Sequence, residues 1–91
     1  MALTIRQSTG FRRDVKRLLR QGAEFARLEA VVESLAAQQP LDQHYRDHAL
    51  IGNWRGYREC HIQPDWLLIY KPTETELQLV RTGSHRELFG G

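Results

Sequence analysis

The chain has 91 residues, 41% apolar and 26% charged, which suits one small core and a single domain spanning residues 1–91. One cysteine, Cys60, excludes an internal disulfide framework, and no apolar run approaches the roughly 20 residues of a membrane helix. The net charge of +2 is unevenly placed. Residues 1–20 carry Arg6, Arg12, Arg13, Lys16, Arg17 and Arg20 against Asp14, a sum of +5. Residues 21–47 carry Arg27 and Arg46 against Glu24, Glu29, Glu33, Asp42 and Asp47, a sum of −3. With no N-terminal basic-then-apolar signal, the expected compartment is cytoplasmic, with no membrane partner.

Alternation of Leu3, Ile5 and Gln7 with Thr4 and Arg6 predicts a short opening strand. Ser8 or Thr9 then caps a helix whose apolar face is Phe11, Val15, Leu18 and Leu19. Arg12, Arg13, Lys16, Arg17 and Arg20 lie mostly off that face, as a solvated surface or as a stripe turned toward nucleic-acid phosphates. Gly22 stops this helix. A second follows over residues 23–38 with Phe25, Leu28, Val31, Val32 and Leu35 as its stripe, and Pro40 ends it. The short link between the two predicts an antiparallel hairpin of helices.

Residues 41–53 show no period and read as a long ordered loop holding His44 and His48. Strands are expected over 54–62, 66–71 and 76–82, with turns at 63–65 and 72–75. In the last strand, Leu77, Leu79 and Arg81 would share one face and Gln78, Val80 and Thr82 the other. A short turn or helix over 85–89 closes the chain. The order β-α-α-β-β-β predicts an α+β domain, with a helical hairpin packed on one face of a mostly antiparallel, twisted sheet.

All four histidines fall in the second half. His61 ends the first of three successive strands, Asp65 and Trp66 begin the second across a tight turn, and His85 follows the third. In an antiparallel meander those positions share one edge, and His48 reaches it if the loop folds back. Histidines, one carboxylate and several arginines suit transesterification of an RNA phosphodiester. One group takes the 2′-hydroxyl proton, another protonates the leaving 5′-oxygen, and cations stabilise the crowded phosphorus. Arg81 is a candidate for the phosphate, Arg55 and Arg58 weaker ones, and Trp66 offers a flat face for a base. On residues alone, Trp54, Tyr57, Trp66 and Tyr70 read as core side chains before they read as base-stacking platforms, and Asp65 can serve merely to cap its turn. The four-residue spacing of His44 and His48 can bind metal on a helix, but this segment does not read as helical and Cys60 does not complete a site.

The run HALIGNWRGYRECHIQPDWLLIY (His48 to Tyr70), followed by LVRTGSHRELF (Leu79 to Phe89), resembles the YafQ branch of the RelE/ParE toxin superfamily. The FRRDVKRL opening of the first helix is similar too, so the resemblance covers nearly the whole chain. It implies a ribonuclease toxin of a type II toxin–antitoxin system that cuts mRNA in the ribosomal A site, without a metal cofactor. It implies His48, His61, Asp65 and His85 as catalytic residues, with Trp66 and Phe89 in support and Arg81 on the phosphate. On this reading His85 is the acid, Asp65 or His48 the base, and His61 a positioning or stabilising group. Arg12, Arg13, Lys16, Arg17 and Arg20 would face ribosomal RNA. The implied partners are a cognate antitoxin, the ribosome and its mRNA, and operator DNA through the antitoxin complex alone. ParE-like relatives share the fold but inhibit gyrase; such a non-catalytic module needs no histidine cluster. Ala49 stands where proline is frequent in relatives, and Cys60 has no family role.

Overall fold

A computed structural model of the chain describes residues 2–90. The elements are β1 (Thr4–Gln7), α1 (Thr9–Arg20), α2 (Phe25–Ala36), β2 (His48–Ala49), β3 (Arg58–Gln63), β4 (Trp66–Pro72), β5 (Glu76–Gly83) and α3 (His85–Phe89). The five strands form one sheet in the order β1-β5-β4-β3-β2. Its neighbours are antiparallel except β1 and β5, which run parallel.

The two long helices form where the sequence places them. Ser8 caps α1 by accepting the Phe11 N–H at 2.9 Å. At the far end the Ala23 N–H reaches the Leu18 carbonyl at 3.0 Å and the Gly22 N–H reaches Leu19 at 3.1 Å. That double closure requires a left-handed residue, and Gly22 has φ +84°. Phe11, Leu28, Val31 and Ala36 bury against Cys60, Ile62, Leu68, Tyr70, Leu77 and Leu79 on one sheet face. On the opposite face Leu67, Ile69 and Leu88 form a smaller cluster with Leu50, Trp54, Tyr57 and Val80. β4 therefore has side chains packed on both faces, which is why its apolar run does not alternate.

Three expectations change. The segment 41–53 is not a plain loop: it contains 3-10 turns at Gln43–Tyr45 and Gly52–Trp54, and His48 lies on β2, opposite Glu59. β3 begins at Arg58 rather than at residue 54, because Trp54 belongs to a 3-10 turn and Gly56, at φ +95°, turns the chain before it can pair. In β5, Ile69 pairs with Arg81 and Tyr70 with Leu79, so Val80 is an extra residue in a bulge. The bulge breaks the strict alternation. Thr82 comes opposite Leu68 instead of following Gln78 and Val80.

β1 pairs with β5 only as far as Leu79. Beyond that point the backbone of β5 needs other partners, and α1 supplies them with side chains. Ser8 Oγ donates to the Val80 carbonyl at 2.7 Å, Asp14 accepts the Thr82 N–H at 3.1 Å, and Arg17 Nη2 donates to the Thr82 carbonyl at 3.2 Å. Asp14 is almost fully buried and also accepts from Arg17 Nη1 at 2.8 Å, Arg81 Nε at 2.6 Å and Arg81 Nη2 at 3.1 Å. Arg17 extends the network to α3 through Glu87 at 2.9 Å, and Glu87 closes a capping box with Ser84.

Burial pushes the Asp14 carboxyl upward, but the hydrogen bonds from Arg81, the Thr82 N–H and Arg17 outweigh it and hold the group below its ordinary value. Its stabilisation is therefore complete above about pH 4 and is lost as pH falls through the lowered value. Asp14→Asn should cost about 3 kcal/mol in urea unfolding at neutral pH, because two partly exposed guanidinium groups lose their shared anion. The variant should also lose less stability than wild type on acidification below about pH 4. Gly83→Ala would place a Cβ 2.6 Å from Arg17 Nη2 and 2.9 Å from Glu87 Oε1. It should destabilise by about 1–3 kcal/mol, read as a lower midpoint in the same unfolding experiment.

Candidate active site

The sheet brings side chains from β2, β3, the β3–β4 turn and α3 to one place. Alternation along β3 sends Cys60 and Ile62 into the main core, leaving Glu59 and His61 on the other face. His48 on β2 is the cross-strand neighbour of Glu59. His85 opens α3 directly after β5, whose Gly83 pairs with Leu67 while Leu67 also pairs with His61. The result is a row of three imidazoles. The His48 and His61 ring centroids are 6.5 Å apart, and those of His61 and His85 are 5.8 Å apart. In the strand order His61 stands between the other two.

Asp65 fixes one end of the row. Its Oδ1 accepts the backbone N–H of His85 at 3.1 Å and lies 3.1 Å from His85 Nδ1. The backbone N–H, then the ring, hold the Asp65 carboxyl below its usual range, so it is an anion at neutral pH. An anionic carboxylate can only accept, so Nδ1 of His85 donates to it, and Nε2 is left for other chemistry. Asp65 thus orients a histidine, as the acid of a catalytic triad does.

Glu59 was missed from the sequence. It is buried, and its Oε1 lies 3.7 Å from His48 Nε2 and 3.6 Å from His61 Nε2. The available signal was its position two residues before His61 on an alternating strand. His61 itself is largely enclosed, and its Nδ1 is buried without a hydrogen-bond partner among the described residues. Glu59, His61 and His85 can offer ligand atoms within 4.8 Å of one another, a nitrogen-and-carboxylate set suited to a divalent transition-metal ion. His44, weighed as a metal partner of His48, instead places its Nδ1 2.7 Å from Asp42.

The supporting residues divide. Trp66 is 6% exposed, sits in the main core and donates from its indole N–H to Thr82 Oγ1 at 2.9 Å, so it offers no open face for a base. Phe89 is 44% exposed, with its ring 6.4 Å from His85 and 6.3 Å from Trp54. Arg81 commits Nε and Nη2 to Asp14. On α1, Arg12, Arg13, Lys16 and Arg20 are exposed, while Arg17 is bound into the Asp14–Glu87 network. Cys60 is fully enclosed, and burial pushes its thiol up to about 12, so it is unreactive at neutral pH.

The sequence and the fold both match known proteins. The family model for the bacterial toxin of type II toxin–antitoxin systems, YafQ, matches residues 3–90. The mRNA interferase toxin YafQ of Escherichia coli K12 is 40% identical over 87 residues, covering 94% of this chain and 95% of that protein. The toxin in the E. coli DinJ–YafQ toxin–antitoxin complex superposes with a TM-score of 0.91 at 38% identity, covering 99% of this chain and 100% of that one. A metal-bound toxin from Helicobacter pylori superposes at 0.90 with 47% identity, covering 96% and 99%. The chain belongs to the YafQ family of bacterial toxins of type II toxin–antitoxin systems, within the RelE/ParE superfamily.

Proposed function

We propose that this protein is a ribosome-dependent endoribonuclease that cleaves mRNA in the A site by acid–base transesterification and so stops translation. The observation that carries the reading is the row His48–His61–His85, with Asp65 holding the outer histidine by both backbone and ring. In-line displacement needs a base and an acid on opposite sides of one phosphorus. A phosphate lying over His61 has His48 on the β2 side and His85 on the β5 side. His85, with Nδ1 tied to Asp65, gives a proton from Nε2 to the leaving 5′-oxygen. His48 takes the proton of the attacking 2′-hydroxyl. Asp65 suits the base role poorly, because a carboxylate held below its ordinary value is a weak proton acceptor.

His61, facing the buried Glu59, holds the middle of the site and balances phosphate charge. Arg81 adds its positive charge, with Nη1 as the donor not engaged by Asp14 in the bonds above. Phe89 takes the stacking role first assigned to Trp66, which secures Thr82 from below. Arg12, Arg13, Lys16 and Arg20 face ribosomal RNA. A cognate antitoxin neutralises the toxin, as the E. coli DinJ–YafQ complex suggests, and the pair contacts operator DNA through the antitoxin. The gyrase-directed alternative gives no use to the histidine row.

A divalent transition metal would inhibit rather than assist. An ion held by Glu59, His61 and His85 occupies the nitrogen lone pairs that proton transfer uses. The metal-bound H. pylori toxin makes this worth measuring.

His85→Gln should lower the cleavage rate of mRNA on programmed ribosomes by about 10²–10⁴-fold while the protein stays folded. Unchanged activity would remove the general acid. A 2′-deoxy nucleotide at the cut site should block wild type completely. Chelator should leave cleavage intact, added Zn²⁺ should suppress it, and Glu59→Gln should blunt that suppression. Activity abolished by chelator and restored by Zn²⁺ would reverse the metal's assigned part.

A further inference from the structure

Beyond the histidine row, an open cleft of about 460 Å³ lies at the end of β3 and shares His61 with the site. Its walls carry Arg27 from α2, His44 from a 3-10 turn, and Arg46 just after that turn. Three separate pieces of backbone thus bring nitrogen-bearing residues to the wall of one space. The cleft falls within the roughly 300–1,000 Å³ that small-molecule-sized groups occupy, and a nucleotide is such a group.

The acids nearby do not neutralise it firmly. Arg27 pairs with Glu24 at 3.4 Å and His44 with Asp42 at 2.7 Å, and in both pairs each side chain is at least half exposed. Exposed pairs of this kind are weak and exchange readily for a better anion. Arg46 carries a further signal. It adopts the left-handed conformation, φ 50° and ψ 47°, which favours Gly or Asn. Its N–H closes the turn on the Gln43 carbonyl at 3.0 Å. A long cation held in a disfavoured backbone conformation, lining the same cleft as a proposed catalytic residue, points to use.

We propose that this cleft is a subsite for a backbone phosphate of the mRNA, next to the one that is cleaved, with Arg27 and Arg46 as its ligands and His44 as a further donor. The proposal rests on the nuclease reading above. The His61 ring lies on the sheet face of the histidine row, whereas Ile62 and Arg27 wall the cleft on the helix side. β2 pairs with β3 only at Arg58 and Glu59, so a strand whose scissile phosphate lies over His61 passes the open edge of β3 beyond Glu59 to bring a neighbouring phosphate to the cleft. Phosphate contacts of this kind set register without reading sequence. The cleft thus decides which phosphate meets His48 and His85.

The test uses the intact protein and an uncleavable 2′-O-methyl RNA decamer, with affinity followed against salt concentration. Arg27→Gln and Arg46→Gln should each weaken binding about tenfold at low salt and reduce the log–log salt slope by about 0.7. Arg46→Lys should keep the slope. In the cleavage assay both glutamine variants should raise KM and leave kcat near wild type. An unchanged slope, or no salt-dependent binding of the decamer at all, overturns the proposal. An effect confined to association with programmed ribosomes also overturns it, assigning the cleft to ribosomal RNA instead. Wild type that binds the decamer through the cleft yet leaves ribosome-bound mRNA uncut would remove the nuclease reading and keep the phosphate site.

Discussion

One buried carboxylate closes a sheet edge that has run out of strand. β1 pairs with β5 only to Leu79, and the next residues lead directly to His85. Asp14 meets that unpaired edge with a backbone hydrogen bond to Thr82 and gathers Arg81 and Arg17 around itself. A carboxylate with so many donors is strongly held, and its burial is tolerable only because every donor is present. Arg17 then reaches Glu87, which caps α3. The position of His85 therefore depends on a helix packed against the far side of the same strand.

That construction suits chemistry sensitive to small displacements. His85 is fixed from behind by the Asp14 network and from the side by Asp65. His61 and Glu59 ride on β3, whose neighbour β4 is packed on both faces. Trp66 contributes from within the core, tying the start of β4 to Thr82. The groups that would move protons thus stand on rigid elements, as a preorganised site requires. His48 is the exception, since β2 has only two residues and the His48 side chain is half exposed.

The sequence made the helices, the three long strands and the gathering of His61, Asp65 and His85 legible, because periodicity and chain reversal determine them. It did not reveal the parallel β1–β5 pair, since pairing partners distant in sequence leave no local trace. The Val80 bulge was invisible for a similar reason: alternation assumes a regular strand. Trp66 read both as a core side chain and as a platform for a base, and its buried indole N–H, bonded to Thr82, favours the core. Asp14 was counted only as one charge against many. Yet Phe11, Asp14, Val15 and Leu18 follow i, i+3, i+4 and i+7, so the lone acid of α1 lies on its apolar face. Glu59 likewise shares a face with His61. In both cases the informative feature was a carboxylate placed where a core side chain belongs.

The central claim is a division of labour, with His85 as the acid for the leaving oxygen and His48 as the base for the attacking one. A substrate carrying sulfur in place of the bridging 5′-oxygen at the cut site separates the two, because a thiolate leaves without needing a proton. His85→Gln should recover most of its lost rate on that substrate, while His48→Gln should remain as defective as on ordinary RNA. Equal recovery of both variants, or recovery of His48→Gln alone, would contradict the assignment.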